Sequence, residues 1–384
     1  LDAAVTGADN ALAFSPAKCR RLVVKIGSAL LVDADASVRR RWLAGLLDDV
    51  AARMRAGQRV VLVSSGAIAL GARRLGLPKG GRASLEDAQA AAATGQIILS
   101  HCYSELLAER GLPAAQLLLT LDDLEDRRRF LNASATLSRL LGLGAVPVIN
   151  ENDSVATAEI RFGDNDRLAA RVAQAAGAAG VILLSDIDGL YTANPGVDPT
   201  ATLVPRVARL DAAVMAMADN RSASGLGSGG MISKLQAARI ATRAGVALAI
   251  VSGKRDHPLA AFDADGRGTL FEAERGARGK RAWLAGRLTV KGRIHIDDGA
   301  VGALTAGNSL LAAGARAVDG QFGRGDVIDI VDAEGRAVAR GLSEYDADDA
   351  ARIVGSRSDA QAAILGYAPR SALVHRDHLV LLGE

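Results

Sequence analysis

RVVLVSSGAIALGARRLG, residues 59–76, runs from consecutive apolar residues through two serines and a glycine into an alanine-rich stretch. A short Val/Leu run without alternation reads as a strand buried on both faces. A helix directly after it gives the repeating unit of a parallel α/β sheet. The unit recurs on either side. RLVVKIG (Arg21–Gly27) reads as the first strand, and GAVPVIN (Gly144–Asn150), GVILLSD (Gly180–Asp186) and GVALAIVSG (Gly245–Gly253) as three more. Ala/Leu-rich helices are predicted between them, among them Leu85–Ala108 and Leu168–Ala176. Each strand ends in Gly, Ser, Asn or Asp, at the edge where open α/β sheets take their ligands.

With 384 residues, the chain is too long for one ordinary core. Composition shifts near ARGKRAWLAGRL (Ala277–Leu288), and from there short alternating segments are separated by Gly-Asp, Glu-Gly and Asp-Gly turns. That pattern predicts a small β-barrel or meander. The expected division is a tail over 1–19, an open, mostly parallel sheet between helix layers over 20–280, and a β-rich domain over 281–384.

The net charge is +3, split as +6 before Trp283 and −3 from Trp283 onward. A mildly basic first part suits an anionic substrate such as a nucleotide. The C-terminal part lacks the basic excess of a nucleic-acid binder, which argues against RNA as a partner. Apolar runs of about 4–8 residues fall far short of the ~20 that span a bilayer, so no membrane is expected. The opening LDAAVTGADNALAFSPAK reads as a loose tail or a trimmed start rather than a leader, and a cytoplasmic location is expected. Cys19 and Cys102 can make no disulfide framework and have no zinc-spaced neighbours.

Transfer of a phosphoryl group needs cations and N–H groups around phosphate, and an aligned nucleophile. Several strand ends offer these. Lys25, inside VVKIGS, either snorkels from a strand end or meets an anion there, with Gly27 and Ser28 turning behind it. In SSGAIALG, Ser64 or Ser65 is an N-cap, or the helix start binds a carboxylate or phosphate, or both. NENDSVAT (Asn150–Thr157) and RFGDNDRLAA (Arg161–Ala170) hold the densest polar cluster. An N-cap at Asp164 or Asp166 explains one or two of its members. The others suit reading an amino group, orienting lysines or holding magnesium. SDIDGLYTANP (Ser185–Pro195) serves as a nucleotide wall or a plain loop. SASGLGSGGMISKLQAARIA (Ser222–Ala241) opens a helix near Met231 with Lys234 in its first turn, where a cation needs an anion beside it.

Three patterns are set aside. Gly225–Gly230 fits GxGxxG, yet no strand precedes it. No Walker pattern is present, and His375-Arg376-Asp377 lacks the rest of a protein-kinase catalytic loop. The five histidines and the arginine clusters Arg39–Arg41 and Arg127–Arg129 read as structural or solvated positions.

Taken in order, VVKIGS, VSSGAIALG, RRRFLNA, VPVINENDSVATAEIRFGDND, LLSDIDGLYTANP and SGLGSGGMISKLQAA resemble the glutamate 5-kinases, within the amino-acid kinase superfamily. The tail, from GRLTV through GRGDVIDI to ILGY and VHRD, resembles a PUA domain. The resemblance implies transfer of the γ-phosphoryl of ATP to the side-chain carboxylate of L-glutamate, with Mg²⁺, as the first step toward proline. By that likeness Lys25 and Lys234 flank the transferring group and Asp166 orients them. Ser65, Gly66, Asp153 and Asn165 hold glutamate. Lys25, Gly27, Ser185, Asp186 and the Ser228, Gly229, Gly230, Met231, Ile232, Ser233, Lys234 run line the ATP site. Gly27, Gly66 and Gly230 supply N–H groups. A homo-oligomer (dimer or tetramer) and feedback inhibition by L-proline are also implied. Ser64 and Ser185 depart from the usual threonine but keep the hydroxyl. No residue is assigned to a metal.

Overall fold

The strand that carries Lys25 lies inside a sheet rather than at its edge. In the computed structural model, which describes residues 15–155, 165–218, 230–274 and 290–382, the chain divides into two units. One comprises Leu1–Glu125 with Ala133–Glu274, the other Asp126–Asn132 with Arg275–Glu384. The predicted boundary at 280/281 and the first 14 residues of the predicted tail lie outside the described residues.

The first unit has eight strands, β1 (Arg21–Ile26), β2 (Arg59–Val63), β3 (Ala114–Leu119), β4 (Val146–Glu151), β5 (Gly180–Ser185), β6 (Arg206–Val207), β7 (Ala247–Ser252) and β8 (Gly268–Phe271). They lie in the order β3-β4-β2-β1-β5-β7-β8-β6, and every pairing is parallel except β7 with β8. Lys25 on β1 stands between Val63 of β2 and Leu183 of β5.

All five expected strands are present. The sequence reading missed β3, β6 and β8. β6 is only two residues long, and β3 (AAQLLL) is an edge strand of Ala, Gln and Leu with none of the β-branched residues that mark the central strands. Leu22, Val23, Val24, Val60, Leu62, Ile182 and Leu183 have no or almost no exposure, as a sheet covered on both faces requires.

Six helices matter to the site: α1 (Ser28–Leu31), α2 (Arg40–Arg55), α3 (Ala67–Leu75), α4 (Leu85–Ala108), α5 (Asn165–Ala175) and α6 (Met231–Arg243). Helix α4 has the predicted bounds. Helix α5 starts at Asn165 rather than Leu168, which brings the polar Asn165-Asp166 pair into its first turn. The α3 and α4 backbones cross at van der Waals contact. A Cβ on Gly71 would lie 1.8 Å from the Ala91 carbonyl oxygen, and one on Gly95 would lie 1.8 Å from that of Ala67.

Near the chain start the backbone is tied down rather than loose. Gln58 Nε2 donates to the carbonyls of Pro16 and Cys19 at 2.8 and 2.6 Å, and Arg53 of α2 donates to Pro16 at 3.1 Å.

The second unit is built on five strands, β9 (Gly292–Ile296), β10 (Ala315–Gly320), β11 (Val327–Val331), β12 (Ala337–Leu342) and β13 (Leu379–Leu381), in the order β10-β9-β11-β12-β13. β9 and β11 run parallel, so the order is not that of a plain meander. Its own core contains Ile294, Ile328, Ile330, Ala339 and Val374, all at 0% exposure, so it does not depend on the first unit's sheet for an interior.

Candidate active site

Three charged side chains from three elements meet at the C-terminal edge of the central strands. Lys25 Nζ lies 2.7 Å from Asp166 Oδ1, and Lys234 Nζ donates to Asp166 Oδ2 at 3.0 Å. All three are buried, at 7, 2 and 5% exposure for Lys25, Asp166 and Lys234, so the ions are held out of water by one another. Burying charge without a partner is very unfavourable, and one carboxylate between two ammonium groups leaves a net positive charge. Burial alone would raise the Asp166 carboxyl, but Lys25 and then Lys234 hold it below its ordinary value.

Local structure explains the placement. Asp166 sits in the first turn of α5, where the helix dipole favours an anion. Lys234 sits in the first turn of α6, which disfavours a cation, and Asp166 is the anion it needs. Asp166 is therefore not an N-cap, and Asp164 lies outside the described residues.

A hydrogen-bonded group of amides and hydroxyls forms a second centre. Asn165 Nδ2 lies 2.9 Å from Ser65 Oγ, 3.0 Å from the Ser64 carbonyl and 3.1 Å from Asn150 Oδ1. Asn150 Nδ2 donates to Gln96 Oε1 at 2.7 Å, and Ser64 Oγ lies 3.0 Å from the hydroxyl of buried Tyr103. Neither Ser64 nor Ser65 caps α3. The N-cap is Gly66, at φ +99°, and a Cβ there would lie 2.8 Å from a methyl of Val32. Glycine is required at that turn on both counts.

Asp153, two residues past β4, is 8% exposed, and its Oδ1 has no hydrogen-bond partner among the described residues. Burial pushes its carboxyl up to about 6, against the opposing pull of Arg82. A buried carboxylate in this state has room for a cation.

The remaining predicted residues divide. Ser185 ends β5 and donates to the Asp186 carboxylate at 3.1 Å, next to the strand of Lys25. Gly230 caps α6, and Met231, Ile232 and Ser233 form its first turn with Ile232 at the surface. Ser228 and Gly229 lie outside the described residues.

Gly27 does not offer its N–H as expected, because that group donates to the Leu184 carbonyl at 3.2 Å. At this turn, Ser28 and Ala29 open α1 and so have no helical carbonyl upstream to bond. Sequence reasoning also missed Gln96 and Tyr103. The only signal for Gln96 was its being one of two glutamines, with Gln89, in an otherwise small and apolar stretch of helix.

Residues 20–252 match the amino acid kinase family and residues 292–365 the PUA domain. The glutamate 5-kinase of Sphingopyxis alaskensis is 68% identical over 369 residues, covering 96% of this chain and 99% of that protein. That of Zymomonas mobilis is 62% identical, covering 97% of this chain and 94% of its own length. Among solved structures, the UMP kinase of Bacillus anthracis gives a TM-score of 0.46 at 14% identity, covering 67% of this chain and 97% of its own. On full-length identity of this order, the chain belongs to the glutamate 5-kinases of the amino acid kinase family.

Proposed function

We propose that the protein transfers the γ-phosphoryl group of ATP to the side-chain carboxylate of L-glutamate, giving L-glutamyl 5-phosphate as the first step toward proline. The observation that carries this reading is the Lys25–Asp166–Lys234 bridge. It sets two ammonium groups side by side, in contact with the helix turn that also carries Asn165 of the amide cluster.

A carboxylate is already a nucleophile at neutral pH, so no general base is needed. Catalysis then consists of aligning it with the phosphoryl group and neutralising charge as it shifts onto the leaving oxygens. Lys25 and Lys234 supply that charge, and Asp166 holds both ammonium groups in place. Asp153 receives the α-ammonium of glutamate, with Ser65, Gly66 and Asn165 completing its pocket. Ser185, Asp186 and the first turn of α6 line the nucleotide side.

Among the described residues magnesium finds no protein cage, for no three His, Cys, Asp or Glu side chains converge and both Asp166 oxygens lie against lysines. The ion belongs with the ATP phosphates, as is usual for magnesium.

The same reading has the enzyme act in the cytoplasm as a homo-oligomer, dimer or tetramer, subject to feedback by L-proline. Among the described residues no helix is long and apolar enough to cross a membrane. The −3 charge of the C-terminal part favours a structural or regulatory role over RNA binding.

The test is ATP consumption with Mg²⁺ and hydroxylamine as a trap for acyl phosphate, comparing L-glutamate, aspartate and N-acetylglutamate. Hydroxamate with glutamate alone is expected. Hydroxamate with another acid instead would move the substrate, and none from folded, ATP-binding protein would overturn the reaction.

A further inference from the structure

We propose that Gln96, on α4, is a positioning residue that holds the Asn150 amide against which Asn165 is set and so tunes the affinity for the amino-acid substrate. The inference rests on the glutamate-binding role given above to Asn165.

The bonding runs in one direction, and backbone groups anchor it at two points. Asn150 Oδ1 accepts from the backbone N–H of Glu151 at 2.9 Å, and a backbone N–H can only donate, so the oxygen of the Asn150 amide must lie on that side. Its Nδ2 then faces Gln96, whose Oε1 accepts at 2.7 Å. At the other end Asn165 Nδ2 faces the Ser64 carbonyl at 3.0 Å, and a carbonyl can only accept. Asn165 therefore shares its two N–H donors among Ser64, Ser65 and Asn150. Its Oδ1 is left buried with no hydrogen-bond partner among the described residues.

An acceptor held this way calls for a donor, and at neutral pH the one donor on L-glutamate is its α-ammonium. Gln96 is the group that takes up the last donor in the chain. With an apolar side chain at that position, Asn150 Nδ2 loses its acceptor. A flip of Asn150 would then oppose two N–H donors at Glu151 and at Asn165. Asn150 therefore shifts rather than flips, and the shift loosens the Oδ1 to which Asn165 donates, although Gln96 itself need touch no substrate.

Gln96→Met removes the acceptor at similar volume, and Gln96→Glu keeps it. The KM for L-glutamate, the KM for ATP and the inhibition constant of glutarate, which lacks the ammonium, are measured with each. The Met variant is expected to raise the glutamate KM at least tenfold while leaving the ATP KM and the glutarate constant within about twofold, a discrimination of the size seen when a buried polar partner is lost. The Glu variant is expected to stay within about threefold of the wild type.

Should Gln96→Met fail to fold, Gln96→Asn replaces it. It keeps the amide but falls a methylene short, and it carries the same expectation. An unchanged glutamate KM, or equal loss for glutamate and glutarate, overturns the relay. Absence of glutamate turnover in the wild type sinks the function and the relay together, whereas normal wild-type turnover with an unmoved variant KM sinks the relay alone.

Discussion

Lys234 donates from Nζ to Oδ2 of Asp166 at 3.0 Å, across 68 positions of sequence. The bond joins the first turns of two helices, one of which has a lysine where its dipole disfavours a cation. With Lys25 on the other oxygen, the carboxylate spaces two charges that would otherwise repel.

From this bridge, Lys234→Ala and Lys25→Ala are each expected to lower kcat by on the order of 10²–10³, the scale of losing one preorganised electrostatic donor. Steady-state kinetics on protein with a wild-type melting profile check it. A folded variant within about threefold of wild type would remove that lysine from the reaction.

Asp166→Asn removes the shared counter-ion and leaves two buried ammonium groups facing a neutral amide. Breaking a buried pair in this way costs about 3–5 kcal/mol. The folded-state pKa of Asp166 is depressed, so its contribution is present above the unfolded carboxyl value and is lost as pH falls through the folded one. Thermal melts from pH 8 down to pH 3 should therefore show a wide gap between wild type and variant at neutral pH that narrows in acid. A gap independent of pH would mean that the ion pairs contribute nothing.

The site was legible where chemistry interrupts an apolar run. Lys25 lies inside a Val/Ile strand, and Asp153, Asn165 and Asp166 sit in polar clusters after a buried one. Ser65 sits at a strand-to-helix turn and Lys234 shortly after a glycine-rich run of sequence. Lys25 and Lys234 are out of keeping with their settings unless an anion is present, and the polar clusters exceed what turns and caps require.

What sequence could not give is the partner of each polar atom. Gln96 lies between a run of small residues and Ile97-Ile98-Leu99 with no local reason to be polar, and its bond to Asn150 spans 54 positions. Gly27 was read as a phosphate donor because of its turn, but donors at strand ends are shared with neighbouring strands, and Leu184 on β5 claims this one. The edge strand β3 was missed for a related reason. Its Ala, Gln and Leu residues favour helix and include no β-branched one, and its pairing with β4 across the sheet is what makes it a strand.

Asp153→Asn should separate stability from function. Burial raises the Asp153 carboxyl to about 6, so the folded protein holds an unfavourable charge above that pH and is relieved of it as pH falls toward the ordinary carboxyl value. A shift of about two pH units corresponds to roughly 2–3 kcal/mol. The ligand-free variant should therefore melt higher than wild type at pH 8 and nearly level with it at pH 4. Its glutamate KM should rise at least tenfold, because the cation partner of the substrate is gone. In the wild type the glutamate KM should rise as pH drops below about 6. A variant that melts lower than wild type at pH 8 with an unchanged KM would remove Asp153 from the pocket.

Gly95→Ala tests whether the α3–α4 crossing transmits to the site. The new methyl would lie 1.8 Å from the Ala67 carbonyl oxygen, which is backbone and cannot swing aside, so the helices must separate. Overpacking of this kind costs about 1–3 kcal/mol and occasionally more. Residue 96 follows directly, and its 2.7 Å bond to Asn150 has no slack to absorb such a shift. The variant should melt lower than wild type and show a raised glutamate KM with the ATP KM little changed. Gly71→Ala, which drives the same helices apart from the α3 side, should do likewise. Loss of stability in both with no change in the glutamate KM would show that the crossing supports the fold without setting the pocket.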